Sequence, residues 1–439
     1  MSFLEPLLFI ILFAVATALF SKKAAAIRRN ILLGRKQQIH DQSAKRFKNM
    51  LLLALGQKKM FHNPLVAILH LWVYAGFIII NIEIVEIIID GLTGSHRVLL
   101  PWIPTLYPFF INSFEILALL VVIACVVFFI RRNGLAIKRF LSNDLNGWPR
   151  TDANLILITE VVLMSLFLLM NASDTLLQQR AVGHYAEHLT GPFVISSFLH
   201  GSLQSLSDNT LVIIERSSWW LHIIGIFAFL NYLPYSKHLH IILAFPNSYY
   251  APLQPIGKME NMPAIQQEVL YAMQPELAPT TAEAAPQRFG ARDVMDLSWK
   301  NLLDAYSCTE CGRCSAACPA RQTGKRLSPR KIMMDTRDRL EEVGRQIDKK
   351  GQWQDDEKSL LHTYISTEEL MACTTCNACV EACPVSINPL DIILQLRRNL
   401  VMEESRTPAE WAALFSNVEN NFAPWKFSPD DRDSWSRSV

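Results

Sequence analysis

The sequence is short of charge and almost without isolated cysteine. Charged residues make up 19% of 439 positions and hydrophobic ones 50%, too apolar a balance for an ordinary soluble chain of this length. The shortage is uneven. Residues 1–250 hold nearly all the long apolar runs, and residues 251–439 have the composition of a polar domain. No P-loop, dinucleotide fingerprint or nucleophile–base pair appears. With 42 Lys+Arg against 40 Asp+Glu and no basic stripe, nothing points to a nucleic-acid partner. Of nine cysteines only Cys125 lies in an apolar run, and the other eight form two clusters.

Five runs are long and apolar enough to cross a bilayer: about 3–20, 65–89, 108–130, 154–170 and 218–235. The first has no basic residues ahead of it, and Lys22 and Lys23 follow it, so it reads as a retained anchor with its N-terminus outside rather than a cleaved leader. Loop 21–59 holds eleven Lys/Arg and loop 131–152 five, whereas loops 90–107 and 173–217 hold one and two. By the positive-inside rule the first pair faces the cytoplasm, and the fifth helix delivers the polar half there. The serine-rich segment 192–214 is expected to form an amphipathic helix lying on the outer face.

The fifth run, "WWLHIIGIFAFLNYLPYSKHLH" (Trp219–His240), carries three histidines. His222 and His240 are eighteen residues apart. On a straight helix that is five turns, placing both rings on one face roughly 27 Å apart, with His238 pointing elsewhere and Pro234 a site for a kink. His70 lies early in the second run, and His62 precedes it in "FHNP", where Asn63 is expected to cap the helix and Pro64 to open it. A lone buried histidine is usually a hydrogen-bonded structural residue. Two on one face at different depths, opposite a third, suit bis-histidine haem ligation better. Toward the other end, Glu83, Glu86 and Asp90 share a face at i, i+3 and i+7, and Glu115 sits early in the third run. Such carboxylates either serve proton traffic at a quinone site or are helix-end acids in the headgroup zone.

"CTECGRCSAACPA" begins at Cys308 and "CTTCNACVEACPV" at Cys373. Both are C-x2-C-x2-C-x3-C-P, the run that holds [4Fe–4S] clusters in bacterial-type ferredoxins, the fourth cysteine crossing to the other cluster. Cys308, Cys311, Cys314 and Cys383 are therefore expected to hold one cluster, and Cys373, Cys376, Cys379 and Cys318 the other. Zinc knuckles usually lack the C-P ending, and disulfides are disfavoured in a reducing compartment. The insert between the motifs contains "LSPRKIMMDTRDRLEEVG", helical in period and structural or partner-facing. Residues 251–290, rich in Pro and Ala, read as a linker between a membrane domain (1–250) and a ferredoxin domain (291–439).

The stretch "PYSKHLH" and the fifth run resemble the last helix of the cytochrome b (gamma) subunit of respiratory nitrate reductases, a likeness covering roughly residues 60–245. It implies one or two b-type haems, with His222 serving an outer haem, His240 an inner one, His70 a facing ligand and His62 a fourth; the family's pair on the second helix is ten residues apart, whereas His62 and His70 are eight apart. The whole arrangement resembles membrane iron–sulfur oxidoreductases related to heterodisulfide reductases, some of which act between flavoproteins and quinone. Many members continue into cysteine-rich CCG domains. No cysteine follows Cys383 here, so that domain is expected to be missing or supplied by another polypeptide. The expected protein is mainly α: a five-helix transmembrane bundle in a bacterial inner membrane, followed by a cytoplasmic α-helical dicluster ferredoxin domain. It would pass electrons between a soluble partner (a flavoprotein or CCG-domain subunit), two [4Fe–4S] clusters, haem and quinone. A membrane anchor that carries clusters but no haem is the alternative.

Overall fold

The computed structural model describes residues 4–135, 137–259, 261–279, 288–426, 428–431 and 433–437. Among these there are helices and two isolated bridges but no strands. Five helices are long and apolar enough to cross a membrane, the pattern of a multi-pass membrane protein: α1 (Leu4–Ile31), α2 (Pro64–Thr93), α3 (Tyr107–Asn133), α4 (Trp148–Gln179) and α5 (Asp208–Tyr232). Residues such as Ile82, Val85, Ile158 and Leu221 face outward, as an apolar solvent requires. Consecutive helices α2 to α5 are neighbours, and α1 lies against both α2 and α5. Phe9 makes that closure: it is fully buried, meets the rings of Trp219 and Phe227 at 5.8 Å, and fills the space above Gly91.

Local signals set the helix starts. Asn63 caps α2, its side chain accepting from the Val66 amide at 3.3 Å, and Pro64 opens the helix. Ser207 caps α5 in the same way. Segment 192–214 departs from expectation. Only a short 3₁₀ turn (Ser196–Leu199) and a four-residue helix (His200–Leu203) form there, and α5 begins ten residues before the apolar run does. Ser207 supplies the cap, so the polar first turns belong to the spanning helix rather than to a separate surface helix.

The fifth helix is not straight through to His240. It ends at Tyr232, passes through 3₁₀ turns at Leu233–Tyr235 and Lys237–Leu239, and restarts as α6 (His240–Tyr249). Pro234 cannot donate the helical bond and stops the helix, so the one-face relation between His222 and His240 is lost.

α1 runs past the apolar stretch into the polar half. Lys23 pairs with Glu341 at 2.9 Å, Arg29 with Asp348, and Asn30 donates to the Tyr306 hydroxyl at 3.0 Å. Ile27 sits in the same core as the polar half's α7 (Trp299–Tyr306), α8 (Pro329–Lys350) and α9 (Pro389–Met402). The expected helical insert is α8, capped by Ser328. Part of the expected linker is helical too (Pro263–Met273), and residues 280–287 of it lie outside the described residues.

Candidate redox centres

The two cysteine motifs fold alike. Each has a loop, a short helix (Arg313–Ala317; Ala378–Ala382) and a final cysteine at the helix end. Gly312, at φ 73°, begins the first of these helices, and a Cβ there would lie 2.5 Å from Arg330 Nη1. Cys308, Cys311, Cys314 and Cys383 line one cavity together with Arg330. Cys318, Cys373, Cys376 and Cys379 line a second. The sulfurs thus group as the spacing expects, each fourth cysteine crossing to the other motif. All nine cysteines are free thiols, and among the described residues no group converges on a single-ion site.

The surroundings suit anionic sulfur clusters. The Thr375 amide points at Cys373 Sγ (3.4 Å) and the Ile387 amide at Cys383 Sγ (3.3 Å), the hydrogen bonds to sulfur that tune cluster potential. Arg397 grips the carbonyls of Leu370 and Cys373 and fixes the second loop. Burial pushes the thiols of Cys308, Cys379 and Cys383 up to about 12, so they would be thiolate ligands only with a cluster bound.

The first cavity is fastened to the membrane helices. Arg330, 1% exposed, donates from Nε (3.0 Å) and Nη2 (2.7 Å) to Asp144 in the α3–α4 loop, and from Nη1 to the Arg139 carbonyl (3.0 Å). Glu310, between Cys308 and Cys311, pairs with Lys237 and with Arg337 at 2.8 Å.

Three residues beyond Lys237 stands His240. Its Nδ1 faces the Lys237 carbonyl at 3.0 Å, and its ring centre is 6.5 Å from that of His70, whose own Nδ1 faces Gln57 Oε1 at 3.0 Å. Both imidazoles are thus held by one nitrogen, leaving Nε2 for another use, the arrangement typical of metal-ligating histidines. The two rings are close enough, at 6.5 Å between centres, for both Nε2 atoms to hold one group between them. His238 does not point elsewhere. It is buried, 5.7 Å from the His240 ring and against Phe77 and Phe229. His62 is exposed at the end of a 3₁₀ turn before α2 and is not gathered with the others. His222 is buried in α5, with Nδ1 2.9 Å from the Leu163 carbonyl and Phe167 beside it.

The acids at the far end of the bundle are buried and are organised by Arg97, which sequence reasoning missed. Arg97 bonds Asp174 at 3.0 Å and Asn171 at 2.7 Å, and approaches Glu83 (3.5 Å) and the Tyr107 hydroxyl (3.4 Å). Tyr107 donates to Glu86 at 2.8 Å, and the Leu99 amide to Glu86 at 2.9 Å. Asp90 accepts from the Arg97 and Val98 amides, so it pins the loop; the helix cap itself is Gly94, at φ 74°. Glu115 binds Asn171 and the Ile195 and Ser196 amides. Glu83 keeps one carboxylate oxygen without a partner. The available signal was the single basic residue of loop 90–107, beside acids that need a countercharge.

Five apolar helices long enough to span a membrane, joined to two four-cysteine cavities, define the class of the chain as a membrane iron–sulfur protein. Residues 307–387 match the family described as 4Fe-4S dicluster domain, which supports two [4Fe–4S] clusters. The chain is similar to the "Probable iron-sulfur-binding oxidoreductase FadF" of Bacillus subtilis, 28% identical over 98% of this chain and 60% of the relative. It is also similar to "EtfAB:quinone oxidoreductase" of Syntrophomonas wolfei, 26% identical over 91% of this chain and 55% of that protein. A shorter match, 36% identical over 27% of this chain and 60% of the relative, is to one subunit of a ferredoxin/F420H2-dependent CoB-CoM heterodisulfide reductase of Methanosarcina acetivorans. The chain therefore spans 60% or less of the first two relatives' own length. No solved structure matches it.

Proposed function

We propose that the chain carries electrons between a soluble redox partner and quinone in the membrane. Its iron–sulfur half would lie on the cytoplasmic side of a bacterial inner membrane, the side of the basic loops. The observation that carries this reading is the seam at Lys237. One three-residue step joins Glu310, in the first cysteine loop, to His240, which faces His70 at the end of the membrane helices.

In this reading Cys308, Cys311, Cys314 and Cys383 hold the cluster nearer the membrane, and Cys318, Cys373, Cys376 and Cys379 hold the other. Cys376 is the exposed cysteine of the eight, which favours the second cluster as the contact with the partner, a flavoprotein or a cysteine-rich subunit. His70 and His240 would hold a b-type haem, and His222 a second one deeper in the bundle. Clusters and haem supply one-electron carriers when bound; the protein's work is to fix their ligands, exclude water and place them in line. From His70 to Glu86 is sixteen residues of α2, about 24 Å of helix, so the acids lie across the bilayer from the cysteines. Glu83, Glu86, Glu115, Arg97 and Tyr107 would face the quinone and manage its charge there.

The reading is tested with the purified holoprotein in detergent. Clusters reduced by a viologen dye should be reoxidised by added decylubiquinone or menadione. Reduced clusters left unchanged by every quinone tried would refute it.

A further inference from the structure

At the end of the bundle remote from the cysteines, loops 94–106 and 180–207 enclose an open cavity of about 440 Å³, lined by His96, Arg97, Trp102, His184 and His188. The His96 ring centre lies 5.3 Å from His184 and 5.5 Å from His188. Below it is a second, smaller cavity bounded by Glu86, Asp90, Glu215 and Trp219. His96 and Arg97 line both cavities and form the wall between them. The His96 side chain is 9% exposed, and its Nε2, 3.4 Å from Asp174 Oδ1, makes no well-aligned hydrogen bond. An imidazole buried between an open pocket and an acid-lined one, with a ring nitrogen held only loosely by a buried carboxylate, is built to exchange protons rather than to brace the loop.

We propose that His96 passes protons between the histidine-lined pocket and the buried acids, serving the quinone reaction at this end of the bundle. This rests on the quinone reading above. Reduction of a quinone to its quinol takes two electrons, which the soluble donor supplies through the iron–sulfur clusters. It also takes two protons, one for each carbonyl oxygen, which come here from water in the pocket. His96 takes a proton on the pocket side and releases one on the acid side, and is itself unchanged.

Other groups that face it fit the role. Arg97 is engaged by Asp174 and Glu83, and Arg216 by Glu215 at 2.5 Å; both guanidinium groups are already fully protonated and take no part in accepting the transferred proton. Asp174 comes from α4, Glu86 and Asp90 from α2, and Glu187 lies beside His188. Burial, and then the charge on His96, lower His184 and His188. Trp219, on the inner cavity, is three residues from His222, one helical turn. A metal at the three imidazoles is not favoured, because no three such side chains converge among the described residues.

The test uses the full-chain holoprotein with viologen-reduced clusters and decylubiquinone, from pH 6 to 9. His96→Gln should slow quinone reduction at least tenfold at pH 8, leave cluster reduction by the dye unchanged, and be partly rescued by added imidazole. The His184→Ala/His188→Ala double variant, altered only at the pocket, should shift the pH profile in the same direction. Wild-type rates and profile in both variants would overturn the proposal, as would a His96→Gln defect without rescue beside an unshifted double variant. Failure of the wild-type protein to reduce quinone, with its clusters reducible, would instead bring down the quinone reading and this proposal with it.

Discussion

Arg330 and Asp144 offer the sharpest stability test, because they fasten the first cysteine cavity to a membrane loop. Their side chains are 1% and 8% exposed. Removing one partner of such a pair strands a buried charge and costs about 3–5 kcal/mol, whereas replacing both by apolar residues is often near neutral. Asp144→Asn in the holoprotein should therefore lower the apparent Tm by roughly 6–20 °C, at 2–4 °C per kcal/mol for a unit of this size. Asp144→Leu combined with Arg330→Met should recover much of the loss. The pH dependence gives an independent check. Burial would raise the Asp144 carboxyl, but hydrogen bonds from Arg330, Ser142 and Ser328 and the guanidinium charge outweigh it and hold the group down from 3.8 to about 2. A depressed folded value adds stability above about pH 4 that is lost as the pH falls through about 2. Nearly two units amount to about 2–3 kcal/mol. Melting in detergent across pH 2–7, followed by cluster absorbance and far-UV dichroism, reads both effects. Equal melting of single variant, double variant and wild type would refute the reasoning.

Three further outcomes are expected. Cys318→Ser should remove the cluster shared with Cys373, Cys376 and Cys379, so iron in the soluble half falls by about half; loss of the other cluster's signal by paramagnetic resonance would reverse the ligand pairing. Gly91→Ala should drive a methyl into the buried Phe9 ring and destabilise the α1–α2 contact by about 1–3 kcal/mol, checked against Gly201→Ala, where the space is open. A reporter placed in loop 90–107 should be active only outside the cell and one fused after residue 240 only in the cytoplasm; the inverse pattern would put the clusters on the wrong side for a cytoplasmic donor.

The spanning helices were legible because apolar length alone marks them, and the Asn63–Pro64 start because a cap is a local signal. Their ends were not. α1 runs on to Ile31 and α4 to Gln179 because Lys23, Arg29, Asp174 and Gln178 find partners in other parts of the chain, which hydropathy cannot see. The eight cysteines could be grouped from spacing, since a fixed cluster geometry dictates it. The histidines could not be sorted the same way: Pro234 breaks the helix that would have aligned His222 with His240, and the turn it creates brings His238 inward. Arg97 and His96 escaped notice because their importance comes from acids on α2 and α4, far away in sequence.

In the proposed function, electrons pass between the iron–sulfur half and quinone through the histidines at the bundle's near end. Reduced-minus-oxidised absorption with haem quantification tests it most directly, on holoprotein made with ample haem. A b-type band should be present in the wild type and should be lost, or reduced to the His222 component, in His70→Ala and in His240→Ala, with cluster iron unchanged. A wild-type protein with both clusters filled and no b-type band would contradict the account.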